Sequence, residues 1–126
     1  MKQFENNAFF WQKLDTLLVS SEIEIVSTAG SRHPQYANLV YPVDFGHLSE
    51  STENGMAVKV FKGQSSFAQA VIVMVDILEK SIDTRVIIGC TDDEEMAILR
   101  FLNQTDFQKI VIIRRGNEVP EWAIDE

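Results

Sequence analysis

The chain has 126 residues, of which 45% are hydrophobic, 10% aromatic and 24% charged, the balance of a globular protein with room for one core and not two. Its formal charge is −8 and its pI about 4.7, which excludes charge-driven binding to bare nucleic acid or to an anionic membrane surface. The expectation is a single domain over residues 1–126 that folds unaided.

From Ala8 to Val19 the apolar residues Phe10, Leu14, Leu17 and Leu18 recur at helical spacing, with Asn6 or Asn7 placed to cap the first free N–H groups. Phe9 and Trp11 widen the apolar side of this helix toward a core or a subunit contact. In "SEIEIVS", Ile23 and Ile25 alternate with Glu22 and Glu24, the period of a strand with one wet face. Residues 28–56 read as a long irregular segment, broken by Gly30, Pro34, Pro42, Gly46 and Gly55 and holding His33, Tyr36, Tyr41, Phe45 and His47; such segments are commonly functional.

Three strands are expected next, over Ala57–Phe61, Ala68–Leu78 and Thr84–Gly89, the last two apolar enough to be central. Thr91 followed three positions later by Glu94 forms a capping box for a second helix, with Asp92 and Asp93 at the positive end of its dipole and Ile98, Phe101 and Leu102 on its buried side. "KIVIIRRG" is a last strand and "NEVPEWAIDE" an acidic tail in which Trp122 is free to pack on the body. The lone Cys90 follows an apolar run and reads as a buried thiol without a disulfide partner. The opening residues "MKQFENNAFFWQKLD" contain acids and amides, unlike a signal peptide, and no stretch approaches the ~18 uninterrupted apolar residues of a membrane span, so a cytoplasmic protein is expected.

Motifs for a P-loop, a dinucleotide fold, a nucleophile elbow or a zinc helix are absent. His33 and His47 stand fourteen positions apart without a ligand spacing, which says little for a metal. In "AGSRHPQY" a Gly-Ser-Arg turn presents backbone N–H groups beside Arg32, whose guanidinium can grip phosphate oxygens in a fork.

That segment resembles the G-S-R turn of the soluble family I inorganic pyrophosphatases, "YPVDFGHLSEST" resembles their Y-P-x-N-Y-G-x-I-x-x-T, and "VDILEKSIDTRVIIG" resembles in part their G-V-L-x-M-x-D-E-x-G-x-D-x-K-x-x-x-V strand pair. The middle match includes Tyr41, Pro42, Phe45, Gly46, Leu48 and Thr52 in order and spacing. The resemblance implies an α+β fold: a five-stranded, mostly antiparallel, OB-like β-barrel over 22–89, flanked by a helix over 1–20 and by a helix and strand over 91–114, with a tail over 116–126. It also implies hydrolysis of diphosphate by a magnesium-bound hydroxide, and assembly into homo-oligomers.

Where the family carries the carboxylates of D-G-D-P-x-D, this chain has "NGMAVK", with Asn54, Met56 and Lys59 in the three acidic positions. Replacing three anions by an amide, a thioether and a cation shifts the local charge by about four units, against the hard anionic ligands that magnesium needs. If hydrolysis survives, the resemblance assigns Mg2+ to Asp83 and Glu53, as catalytic ligands of the hydroxide, with Arg32, Tyr41, Lys59 and Arg85 on phosphate. If it does not, the same fold serves as a non-catalytic module that senses phosphate-like anions or docks a protein, and Lys59 favours this alternative because an ammonium neutralises phosphate without activating water.

Overall fold

The computed structural model describes residues 7–34, 36, 38–53, 55–103 and 106–116, the side chains of 50–53 excepted. The expected contributions of Asn54 and Trp122 lie outside the described residues. Eight elements follow one another: α1 (Ala8–Val19), β1 (Ile23–Ser27), β2 (Asp44–Glu53), β3 (Met56–Lys62), β4 (Ala68–Asp76), β5 (Ser81–Ile88), α2 (Asp92–Leu102) and β6 (Gln108–Arg114).

The strands form one sheet of six in the order β1-β2-β3-β5-β4-β6. Two expectations need correction. The sheet is open, with β1 and β6 as its edges, and is not a barrel; and it has six strands rather than five. The additional strand is β2, inside the segment read as irregular. Gly46 and the polar run from Ser49 blur its alternation, and pairing supplies the order instead: Phe45 stands opposite Ser27 on one side and Phe61 on the other. Pairing is antiparallel throughout except between β3 and β5, where Lys59, Val60 and Phe61 run beside Arg85, Val86 and Ile87 in parallel. Parallel neighbours need a crossover. Here it passes through β4, which β5 then rejoins as a hairpin.

Each face of the sheet carries a helix. On one face Trp11 and Leu18 of α1 pack with Leu48, Val60, Val86 and Ile88; on the other, Ile98, Phe101 and Leu102 of α2 pack with Phe61, Ile72, Met74 and Ile87. Trp11 is 1% exposed, whereas Phe10 remains 48% exposed, so the buried stripe of α1 runs through Trp11, Leu14 and Leu18 rather than Phe10. Burying one such large side chain contributes roughly 1.5–3 kcal/mol. Asn7 caps α1 by accepting from the Phe10 N–H at 3.1 Å. Arg115, just past β6, binds α1 to the sheet by donating to both Asp15 oxygens, at 2.8 and 3.1 Å, and to the Ala68 carbonyl, at 3.0 Å.

The capping box of α2 forms as expected: the Glu94 N–H donates to Thr91 Oγ1 at 3.1 Å and the Thr91 N–H to Glu94 Oε1 at 2.8 Å. Glu95 does something else. It is buried and accepts from Arg114 Nε at 2.8 Å and from Gln69 Nε2 at 3.0 Å, so it ties the helix to β4 and β6. No helix among the described residues is long and apolar enough to cross a membrane.

Gly46 is dictated by the close approach of β1, since a Cβ there would lie 1.9 Å from the Glu24 carbonyl oxygen. Backbone cannot yield as a flexible side chain does, so Gly46→Ala must push β1 off the sheet. The substitution is expected to destabilise the fold by about 1–3 kcal/mol, read from the midpoint of denaturant unfolding, with an unchanged midpoint as the contrary result.

Candidate functional site

Strand geometry decides which residues meet. On β3, Lys59 and Phe61 point to the α2 face, and on β5, Asp83, Arg85 and Ile87 do the same, because side chains alternate with period two. Register then places Lys59 beside Arg85, and Asp83 opposite Met74. The outcome is a compact charged group. Asp83 Oδ2 lies 3.5 Å from Lys59 Nζ and 3.7 Å from the Arg85 guanidinium. The row continues across β2 and β1, where His47 stands beside Lys59 and its Nε2 lies 3.5 Å from Glu24.

Beside this group a cavity of about 160 Å³ opens under the loop that joins β1 to β2. Lys59, Arg85, Gln108 and His33 supply its polar lining, and the rings of Tyr36, Tyr41, Phe45 and Phe101 most of the rest. The described parts of this loop are tied together by backbone hydrogen bonds. The Gly30 N–H donates to the Tyr41 carbonyl at 2.8 Å, Tyr41 N–H to Ser31 at 2.9 Å and His33 N–H to Leu39 at 2.8 Å, while Asp44 Oδ1 accepts from the Ala29 N–H at 2.9 Å. With its backbone satisfied in this way, the loop can hold His33 and Tyr41 over the sheet.

Planar groups follow one another along the cavity wall. His33 stacks on Tyr41 at 5.8 Å and 12°, Tyr41 on Phe45 at 5.5 Å and 19°, and the Arg85 guanidinium lies over Phe45 at 5.4 Å. The cation–π contact holds Arg85 from one side and Asp83 from the other. Burial lowers the Arg85 pKa, and the charges of Asp83 and Tyr41 oppose that shift. Burial, then the charge of Arg85, lowers the pKa of His33 below 6.5, so its imidazole is neutral at pH 7. Arg85 Nε and Asp83 Oδ1 are both buried without a hydrogen-bond partner. Each such atom costs roughly 1–3 kcal/mol.

The expected site residues divide as follows. Tyr41, Lys59 and Arg85 line the cavity, and Asp83 touches both cations. Arg32 is exposed at the bridge to Val40 and does not line it. Met56 lies three positions from Lys59 and therefore on the opposite face of β3, 65% exposed. The backbone of Glu53 pairs with Met56 at the end of the β2–β3 hairpin; its side chain is outside the described residues. The two histidines are held by different neighbours, His33 by Tyr41 and His47 by Glu24. His33, Tyr36 and Phe45 could be anticipated from the aromatic content of the long segment; Phe101 could not, because it reads as a core position of α2.

Among the described side chains, which exclude that of Glu53, this site offers magnesium a single carboxylate. Among the described residues no three acids, histidines or cysteines converge, and the one carboxylate present is already flanked by two cations that would repel a third. Cys90 offers no alternative ligand, since burial, with Glu94 adding to it, pushes its thiol up to about 12.

No protein-family model matches the chain, and neither does any curated protein. Among solved structures, an inorganic phosphatase from Anaplasma phagocytophilum superimposes with a TM-score of 0.48 at 12% identity, covering 75% of this chain and 81% of that one. A likeness of that degree carries no inference for this chain.

The lowered pKa of His33 gives the fold a pH dependence of known sign. Between its folded and its unfolded value the unfolded chain binds more protons, so stability falls as pH drops through 6.5 and below. The parent is therefore expected to lose stability relative to His33→Gln from pH 7.5 to pH 5, measured by urea unfolding of both. A parent that keeps or gains stability relative to the variant over that range contradicts it.

Proposed function

We propose that the chain is a non-catalytic binding module for small anions, with Arg85 and Lys59 as the anion-binding groups and Asp83 as the counter-charge that orients them. One observation carries this reading: the Arg85 side chain, only 14% exposed, and Lys59 both line a cavity whose described lining contains no acid. Arg85 and Lys59 together carry two positive charges against the single negative charge of Asp83. The group is thus left with a net charge of +1 where water is partly excluded, and an anion is its natural complement.

Magnitudes favour binding over hydrolysis. A charge pair at 3.5 Å attracts by on the order of 5 kcal/mol at an effective dielectric of 20, before desolvation is counted. A divalent cation approaching Asp83 would be repelled by the two cations already held at its Oδ2. Diphosphate hydrolysis, which the resemblance to family I pyrophosphatases implies, needs that metal; anion capture does not. The segments that resemble the family are on this reading a framework whose metal-binding acids have been exchanged for cationic and neutral groups.

Asp83 gives the two readings opposite signs. Titration of inorganic phosphate by calorimetry is expected to show at least tenfold weaker binding in Lys59→Met, where the net charge falls to zero, and tighter binding in Asp83→Asn, where it rises to +2. Affinities that ignore both substitutions overturn the anion site. Phosphate release from pyrophosphate in the presence of magnesium is expected to stay at the enzyme-free background; turnover that requires magnesium and is lost in Asp83→Ala would restore the hydrolase.

A further inference from the structure

The cavity beside Arg85 is far more apolar than an inorganic anion requires. Its rings, Tyr36, Tyr41, Phe45 and Phe101, are joined by Leu39, Leu102 and Met74, while its cations lie together on the sheet side. A small hydrated oxyanion at Arg85 and Lys59 would leave this wall in contact with water and gain nothing from it. A ligand with a flat apolar body would cover it, gaining burial and ring contacts. Size allows this: apolar cavities of ~150 Å³ admit benzene, and this one is about 160 Å³. Tyr36, 49% exposed and 5.2 Å from His33, gives the lining a ring that reaches solvent.

Charge narrows the class further. Lys59, Arg85 and Asp83 sum to +1, and His33, depressed by burial and by Arg85, adds no positive charge at neutral pH. One negative charge on the ligand balances the site; a second would be left uncompensated beside the half-buried Asp83, where screening is reduced. Resting on the anion-binding reading above, we infer that the ligand is an aromatic monocarboxylate, its carboxylate bound in the Arg85 fork beside Lys59 and its ring against Tyr36 and Phe101.

The test is calorimetric titration of the full chain at pH 7.5 with benzoate, acetate and inorganic phosphate. Benzoate is expected to bind at least tenfold more tightly than either of the others. Tyr36→Ala removes a half-exposed ring and no core atom, and should narrow the benzoate-to-acetate ratio at least threefold while leaving acetate unchanged; a thermal melt confirms that the variant is folded. Phosphate or acetate binding as tightly as benzoate overturns the aromatic carboxylate and leaves the anion site standing. So does a ratio unmoved by Tyr36→Ala. Binding of none of the three overturns the anion site and the inference together.

Discussion

Lys59 and Arg85 stand side by side because β5 enters the sheet between β3 and β4 and runs parallel to β3. Like charges facing each other on adjacent strands destabilise a sheet, and a β3–β5 contact with those two side chains needs a counter-charge. Asp83 supplies it from two positions before Arg85 on the same face of the same strand, where its Oδ2 reaches both cations. The arrangement is neutralised in part only. What remains among these three side chains is a single positive charge on a partly buried surface, and the proposed anion site rests on it.

The rest of the molecule fixes the geometry around it. On the α2 face of the sheet Ile98, Phe101 and Leu102 cover Phe61, Ile72, Met74 and Ile87, while Lys59, Asp83 and Arg85 lie farther along β3 and β5 beside the cavity that the β1–β2 loop helps to line. Phe101 has a place in both, packing against Tyr41 at 4.9 Å while belonging to the core. Part of the cavity wall, Tyr41, Met74, Phe101 and Leu102, thereby belongs to the core. Glu95 with Arg114, and Asp15 with Arg115, pin the two helices to the far edge.

Both helices, their caps and the two central strands β4 and β5 were legible in the sequence, because those segments have clean periodicities and explicit terminal signals. β2 was not legible. Its residues lack sustained alternation, and it is ordered by neighbours on either side that no local pattern reveals. The same limit applies to the site. Tyr41, Lys59, Asp83 and Arg85 could be picked out singly, but their meeting depends on the register of a parallel pair, and the ring of Phe101 enters through tertiary packing alone. Met56 shows the converse: a position that aligns with a site motif can lie on the wrong face of the strand.

The most direct measurement of the central claim is nitrogen-15 NMR of the arginine Nε–H groups during titration with an anion that fits the cavity. The Arg85 signal should move, while that of Arg114, whose Nε–H is held by Glu95, stays in place. An Arg85 signal that stays put while the chain is saturated, or arginine signals that all shift alike, would contradict the account.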